Sequence, residues 1–117
     1  MRYGDALEEI ETALQNAGLR ATTEPSKLHL PGALIVPGTM SFEILDQEDY
    51  VASIDIYLLT ANKGSIRSLN DLQDMLTILR GVFVIPEAEP ITLDLNNISK
   101  DPIPGLLINL QATITKD

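Results

Sequence analysis

The sequence has no cysteine and no tryptophan, and its aromatic and histidine content is low, with three tyrosines, two phenylalanines and one histidine in 117 residues. Without cysteine, the chain forms no disulfides, thiolate nucleophiles or cysteine-based metal sites. No apolar run approaches the roughly 18 residues that a membrane-spanning helix requires, so we expect no membrane partner. The aromatic residues do not alternate with basic ones, which argues against a stacking platform for single-stranded nucleic acid.

Basic residues are also scarce, since eight Lys and Arg stand against 17 Asp and Glu, for a formal net charge of −9. Tight binding of nucleic acid needs clustered basic side chains that displace counterions, and here the basic residues are scattered singly. We therefore expect no specific binding of DNA or RNA. DNA can still pass an acidic surface without adhering, because like charges repel.

The length and the apolar content suit one globular domain. Hydrophobic residues make up 44% of the chain and charged residues 21%, close to the averages for soluble proteins. A chain of this length supports one hydrophobic core but not two. The prediction is a single domain over residues 1–117.

Two segments have the periodicity of amphipathic helices. Residues 3–17 repeat apolar side chains at spacings of three and four, and Gly18 follows where a left-handed C-terminal residue is favoured. Residues 68–80 repeat leucines on one face at positions 69, 72, 76 and 79. Ser68 is the expected N-cap of this second helix, Asp71 completes a capping box, and Gly81 ends the helix.

Strands are predicted where apolar and polar residues alternate. The segment 20–31 is predicted as a connector, and 46–49 as a polar hairpin connection. The predicted strands are 33–36, 40–44, 50–59, 91–95 and 106–114. The order is therefore α-β-β-β-α-β-β, with a mainly antiparallel sheet of about four to five strands and one wet face. Two amphipathic helices covering the other face make an α+β two-layer sandwich.

Catalytic and metal-binding patterns are weak. His29 is the only histidine, and although Ser26 or Ser41 is a conceivable nucleophile beside it, the Gly-x-Ser-x-Gly pattern of a nucleophile elbow is missing. The acidic run near residues 43–49 lacks the central glycine of a calcium loop. We expect a solvated hairpin tip there, or an electrostatic contact with a basic neighbour. The chain is not expected to be an enzyme, and no cofactor or metal is expected.

Taken together, four segments resemble the tail terminator family, small neck proteins of long-tailed bacteriophages. The resemblance rests on layout and size over nearly the full length, and the segments that carry it are 31–38, 50–59, 68–79 and 103–114. It implies an α+β fold and a six-membered homo-oligomeric ring that caps the tail tube, stops its polymerisation and joins the tail to the head connector. The implied partners are the tail tube protein, the head–tail connector protein and further copies of the chain.

The resemblance also implies location in the virion after assembly in the bacterial cytoplasm, with DNA passing through the ring without specific binding. Two alternatives stay open: another phage neck protein, for head completion or head–tail joining, and a monomeric cellular α+β domain that binds a ligand. Acidic and proline-rich loops are the candidate contact regions. The residues assigned to self-assembly or partner contact are Glu43, Asp46, Glu48, Asp49, Pro86, Glu87, Glu89, Pro90, Ile98, Lys100, Asp101, Pro102 and Ile103.

Overall fold

The structure is a computed structural model, and it describes residues 2–42, 49–94 and 102–114. Its elements are α1 (Tyr3–Asn16), β1 (Ala21–Thr22), a short 3-10 helix (Pro25–Lys27), β2 (Gly32–Ser41), β3 (Tyr50–Leu59), α2 (Ser65–Val82), β4 (Glu89–Leu93) and β5 (Ile103–Ile114). The five strands form one sheet in the order β1-β2-β3-β5-β4. Its β1–β2 pair is parallel and its other three pairs are antiparallel. The predicted α+β class is confirmed.

The strands before α2 differ in detail from the prediction. The segments predicted as two strands, 33–36 and 40–44, belong to the single strand β2 as far as Ser41, and residues 43 and 44 lie outside the described part. Pro37 and Gly38 indicated a turn, but a β-bulge accommodates both of them inside the strand. The first strand is instead β1, a two-residue pairing within the segment that was predicted as a connector. After α2 in the chain, the strand predicted at 91–95 corresponds to β4 at Glu89–Leu93.

Helix α1 matches its prediction closely. Ala6, Ile10 and Leu14 are buried, and Gly18 follows the C-cap residue Ala17 with φ of 98°. A side chain at Gly18 would be strained in this left-handed conformation, which explains why a glycine ends the helix.

Helix α2 begins three residues earlier than predicted, with Gly64 as its N-cap. Ser68 lies in the first turn and does not cap the helix N-terminus. Its hydroxyl accepts a hydrogen bond from the Lys63 amide at 3.0 Å and donates to the Ala61 carbonyl at 3.3 Å. Ser68 therefore fastens the preceding loop to the helix. The predicted end is also wrong, since Gly81 lies inside the helix and Val82 ends it.

The core lies between the helices and one face of the sheet. Antiparallel pairing of β3 with β5 places Ile54 opposite Leu110, Ile56 opposite Ile108 and Leu58 opposite Leu106 on that face. Each fully buried aliphatic side chain of this kind contributes about 1.5–3 kcal/mol. The helix side chains that pack on the ladder are Ala6, Ile10, Leu14, Leu72, Met75 and Leu79.

The outer face of the sheet is less wet than the alternation predicted. Leu34, Leu59 and Ile103 form a second, smaller buried cluster there, and Leu28 from the chain that follows the 3-10 helix covers it. Toward the opposite end of the strands this face becomes polar, and the Asn109 side-chain amide donates to Asp55 at 2.8 Å. One end of the sheet is thus packed on both faces.

A charge introduced into the ladder tests the position of the core. We expect Ile108→Asp to abolish cooperative thermal unfolding, because it buries an unpaired carboxylate at a fully buried position and costs more than about 4 kcal/mol. Gln111→Asp is the matched control, since Gln111 is exposed on the same strand. Melting followed by circular dichroism checks both variants, and a cooperative transition in Ile108→Asp near the wild-type temperature would show that the core is assigned wrongly.

Candidate assembly surfaces

Strand β2 changes along its length from a covered strand to an exposed edge strand. Its first four residues, 32–35, are buried, whereas residues 37–41 are exposed on both faces of the strand. The molecule is correspondingly elongated, with extents of 48 × 29 × 23 Å and a radius of gyration of 14.9 Å, against about 13 Å for a compact chain of this length. We call residues 37–42 the arm.

A β-bulge marks the point where the arm begins. Pro37 pairs with Ile54 and Met40 with Ala52, so two residues of β2 lie opposite one residue of β3. A bulge of this kind bends the strand and increases its twist. The arm stays paired with β3 beyond the bulge, through Met40 and Ser41, and the bulge determines its direction along the edge of the sheet.

Hydroxyl groups satisfy the backbone of the bulge. The Thr39 amide donates to Ser53 Oγ at 2.6 Å, and the Gly38 amide donates to the Tyr3 hydroxyl at 2.9 Å. The Tyr3 hydroxyl in turn donates to the Ser53 carbonyl oxygen. The first residue of α1 thus joins the helix to both strands at the base of the arm.

Glycine is required at position 38 because Ser53 lies too close to leave room for a side chain. A Cβ atom built on Gly38 would overlap Ser53 Oγ and lie 3.1 Å from the Ser53 carbonyl oxygen. Neither neighbour moves freely, because both are tied into the hydrogen bonds of the bulge. The Pro-Gly pair that indicated a turn in the sequence is therefore the pair that builds the bulge.

The arm exposes large apolar side chains. Met40 is 47% exposed and Phe42 is 64% exposed, and the Phe42 ring contacts the Tyr50 ring with 5.3 Å between centroids. The backbone of the arm is a poor template for adding a strand, because Pro37 lacks a donor and the bulge twists the edge. The side chains of the arm, and not its backbone edge, are the surface available for a contact.

An apolar groove lies at the other end of the sheet, between the start of α2 and strands β4 and β5. It has a volume of about 400 Å³, and its lining includes Ser68, Leu69, Pro90, Ile91, Pro102 and Pro104. None of the described residues that line it carries a charge. Leu69, which the leucine periodicity predicts as core, is 53% exposed at this groove. We refer to this feature as the groove.

The arm and the groove are separated along the strands. Tyr50 pairs with Ile114 at the arm end, and Leu59 pairs with Gly105 at the groove end. Nine residue steps of β-strand between Tyr50 and Leu59 span about 30 Å. The arm therefore does not reach the groove of its own chain.

The residues predicted for assembly fall into three groups: residues at or near the surface, one buried residue, and residues outside the described part of the chain. Pro90 and Pro102 line the groove, Asp49 directly precedes β3, and Pro86, Glu87 and Glu89 are exposed between α2 and the start of β4. Ile103 is 1% exposed in the outer-face cluster, so its side chain packs within the chain and offers no surface to a partner. Outside the described residues lie Glu43, Asp46, Glu48, Ile98, Lys100 and Asp101.

Met40, Phe42 and Leu69, the exposed apolar residues of the arm and the groove, are not among those predictions. Their spacing matches that of core-facing positions on a strand and a helix, so periodicity alone assigns them to the core. The available signal was Pro37-Gly38, two residues before Met40, which interrupts the regular strand at the point where the arm begins.

Side chains that could do chemistry are dispersed. His29 is exposed before β2, whereas Ser41 ends that strand about 30 Å away. Across residues 2–42, 49–94 and 102–114, no three His, Cys, Asp or Glu side chains converge on a common point that could hold a metal ion. Every buried side-chain polar atom in these ranges has a hydrogen-bond partner. Asp71, the expected capping-box residue, instead forms an exposed ion pair with Lys63 at 3.1 Å, which contributes at most about 1 kcal/mol.

Neither a protein-family model nor a curated protein matches this sequence. Among the described residues, neither helix combines the length and the apolar character needed to cross a bilayer. The arm and the groove are two exposed apolar surfaces available for contact with another molecule.

Removal of the Tyr3 hydroxyl tests the anchoring of the arm. We expect Tyr3→Phe to lower the free energy of unfolding by about 1–3 kcal/mol, because the Gly38 amide and the Ser53 carbonyl both lose a partner. Tyr57→Phe is the control, since no described hydrogen bond involves its hydroxyl, and we expect a change within about 0.5 kcal/mol. Urea unfolding measures both. Equal stabilities of the two variants would show that the Tyr3 hydroxyl does not hold the bulge.

Substitution of the single histidine tests the expectation that the chain is not an enzyme. We expect His29→Ala to keep wild-type folding and biological activity, because no nucleophile or carboxylate lies in hydrogen-bond contact with this side chain in the described structure. Complementation of a deletion of the gene measures activity. A folded variant with a large loss of activity would revive a catalytic role for His29.

Proposed function

We propose that this chain is a structural protein of a bacteriophage tail, a tail terminator that assembles into a ring, caps the tail tube, stops its polymerisation and joins the tail to the head connector. The observation that carries the proposal is the arm, an edge segment of the sheet that begins at a β-bulge and exposes Met40 and Phe42. An exposed apolar surface of this kind is typical of a protein–protein contact. The layout of the sequence supports the choice of family.

A contact made by the arm, at one end of the subunit, favours a ring. When one surface of a subunit binds a different surface of the next, the contact repeats, and it closes into a ring if the rotation allows it. The arm lies at one end of an elongated subunit, and such a surface suits a contact of this head-to-tail type. A six-membered ring is the assembly that the family resemblance implies.

The charge of the chain supports passage of DNA through such a ring. With −9 per subunit, the assembly repels the phosphate backbone over a distance of about one Debye length, roughly 8–10 Å at physiological salt. DNA then moves through without the counterion release that accompanies tight binding. The head connector and the tail tube are the proposed protein partners.

The groove favours a second candidate, the monomeric α+β domain that binds a ligand. Its volume of about 400 Å³ lies within the range of small-molecule sites. Its described lining is uncharged and combines apolar side chains with polar ones such as Asn62 and Thr92, so such a ligand would be neutral. A monomer that binds a compound of this class in the groove would favour this candidate over the ring.

The assembly state and the phage phenotype test the proposed function. We expect size exclusion with light scattering to give six copies, or a mass that rises toward six copies with concentration. Phage that lack this chain should make tails of abnormal length that do not join heads. Tails of normal length that join heads in its absence would refute the terminator function, whereas normal tails that fail to join would favour another neck protein.

A further inference from the structure

We propose that the arm of one copy binds in the groove of the next copy, and that this head-to-tail contact builds the assembly. The inference rests on the proposed function, and it names the two surfaces that the ring would join. The occupant of the groove is the arm of a second copy of the same chain. Phe42 and Met40 of that arm enter between α2 and β4.

Geometry excludes the contact within one chain and allows it between two. The arm and the groove lie at opposite ends of β3, about 30 Å apart. Each copy therefore presents one arm and one groove at opposite ends of its described residues. A contact between unlike surfaces at opposite ends of a subunit leaves an unused surface at each end of every intermediate, so only ring closure satisfies all of them.

Charge indicates that these two surfaces are the ones that meet. Two copies that each carry −9 repel each other, so a stable contact must bring together regions without like charges. Residues 37–42 include no charged side chain, and no described residue that lines the groove is charged. By contrast, the exposed face of α1 carries Glu8 and Glu9, which would oppose a second copy.

The chemistry of the two surfaces is also matched. The arm supplies an aromatic ring and a thioether, and burial of such side chains gives most of the energy of a small interface. The groove supplies Leu69, Ile91 and Pro104 beside the hydroxyl of Ser68. Since Pro37 and the bulge discourage strand addition, we expect side-chain burial and not backbone pairing to hold the copies together.

Two single substitutions separate the surfaces. Phe42→Asp damages the arm and leaves the groove intact, while Leu69→Asp damages the groove and leaves the arm intact. Both positions are more than half exposed, so both variants should keep the wild-type melting temperature. Val84→Asp is the matched control, because Val84 is 95% exposed and belongs to neither surface, and it changes the net charge by the same amount.

We expect each damaged variant to be monomeric by light scattering and the Val84→Asp control to assemble like the wild type. An equimolar mixture of the two damaged variants should form a 1:1 dimer and nothing larger, because one intact arm meets one intact groove. Added salt should strengthen assembly of the wild type, since it screens repulsion between acidic copies and leaves an apolar contact unchanged.

The contrary outcomes are distinct. Assembly that survives both Phe42→Asp and Leu69→Asp, or a mixture that stays monomeric, overturns the arm–groove contact even if the wild type forms a six-copy ring and the proposed function stands. A wild-type chain that stays monomeric at every concentration also overturns the contact. In that case abnormal tails in phage that lack the chain would still support the terminator function. Normal tails would overturn both the arm–groove contact and the terminator function.

Discussion

Isoleucine and leucine side chains of β3 and β5 face one another across the centre of the sheet, and every other layer of the molecule is positioned by this ladder. Ile56 pairs with Ile108 at its middle, and both central strands are buried on the helical face. Because the side-chain period of a strand is two, a slip of one residue would turn the whole ladder toward the outer face. Burial of the ladder therefore sets the register of β5, and with it the place where β4 pairs.

The polar groups of Tyr3 and Ser53 have a different task, which is to hold an irregular strand in one shape. The bulge in β2 leaves backbone amides that a regular ladder would pair, and the two hydroxyls satisfy them. Since Tyr3 opens α1, packing of that helix on the core also fixes the base of the arm. An apolar core and a small hydroxyl network together present Met40 and Phe42 at one end of the subunit.

Periodicity predicted much of this fold because periodicity reports which side of an element is apolar. It located both helices, the two central strands and Gly18, the glycine that follows the C-cap of α1. It failed where tertiary contacts override local signals. Pro37-Gly38 indicated a turn but forms a bulge inside a strand, and Ser68 indicated an N-cap but fastens a loop one turn into α2. The short strand β1 had no local signal, because its pairing depends on β2.

The sequence by itself determined the α+β class, the acidic charge and the apolar face of each main element, since these follow from composition and spacing. Only the tertiary structure decided which apolar residues are covered. Leu69 and Leu72 share one helical face, yet Leu72 is buried and Leu69 lines an open groove. Ile103 was expected at the surface and is buried, whereas Phe42 follows a core pattern and is exposed. An apolar pattern specifies which face of an element is apolar. Only the position of the neighbouring elements determines whether anything packs on that face.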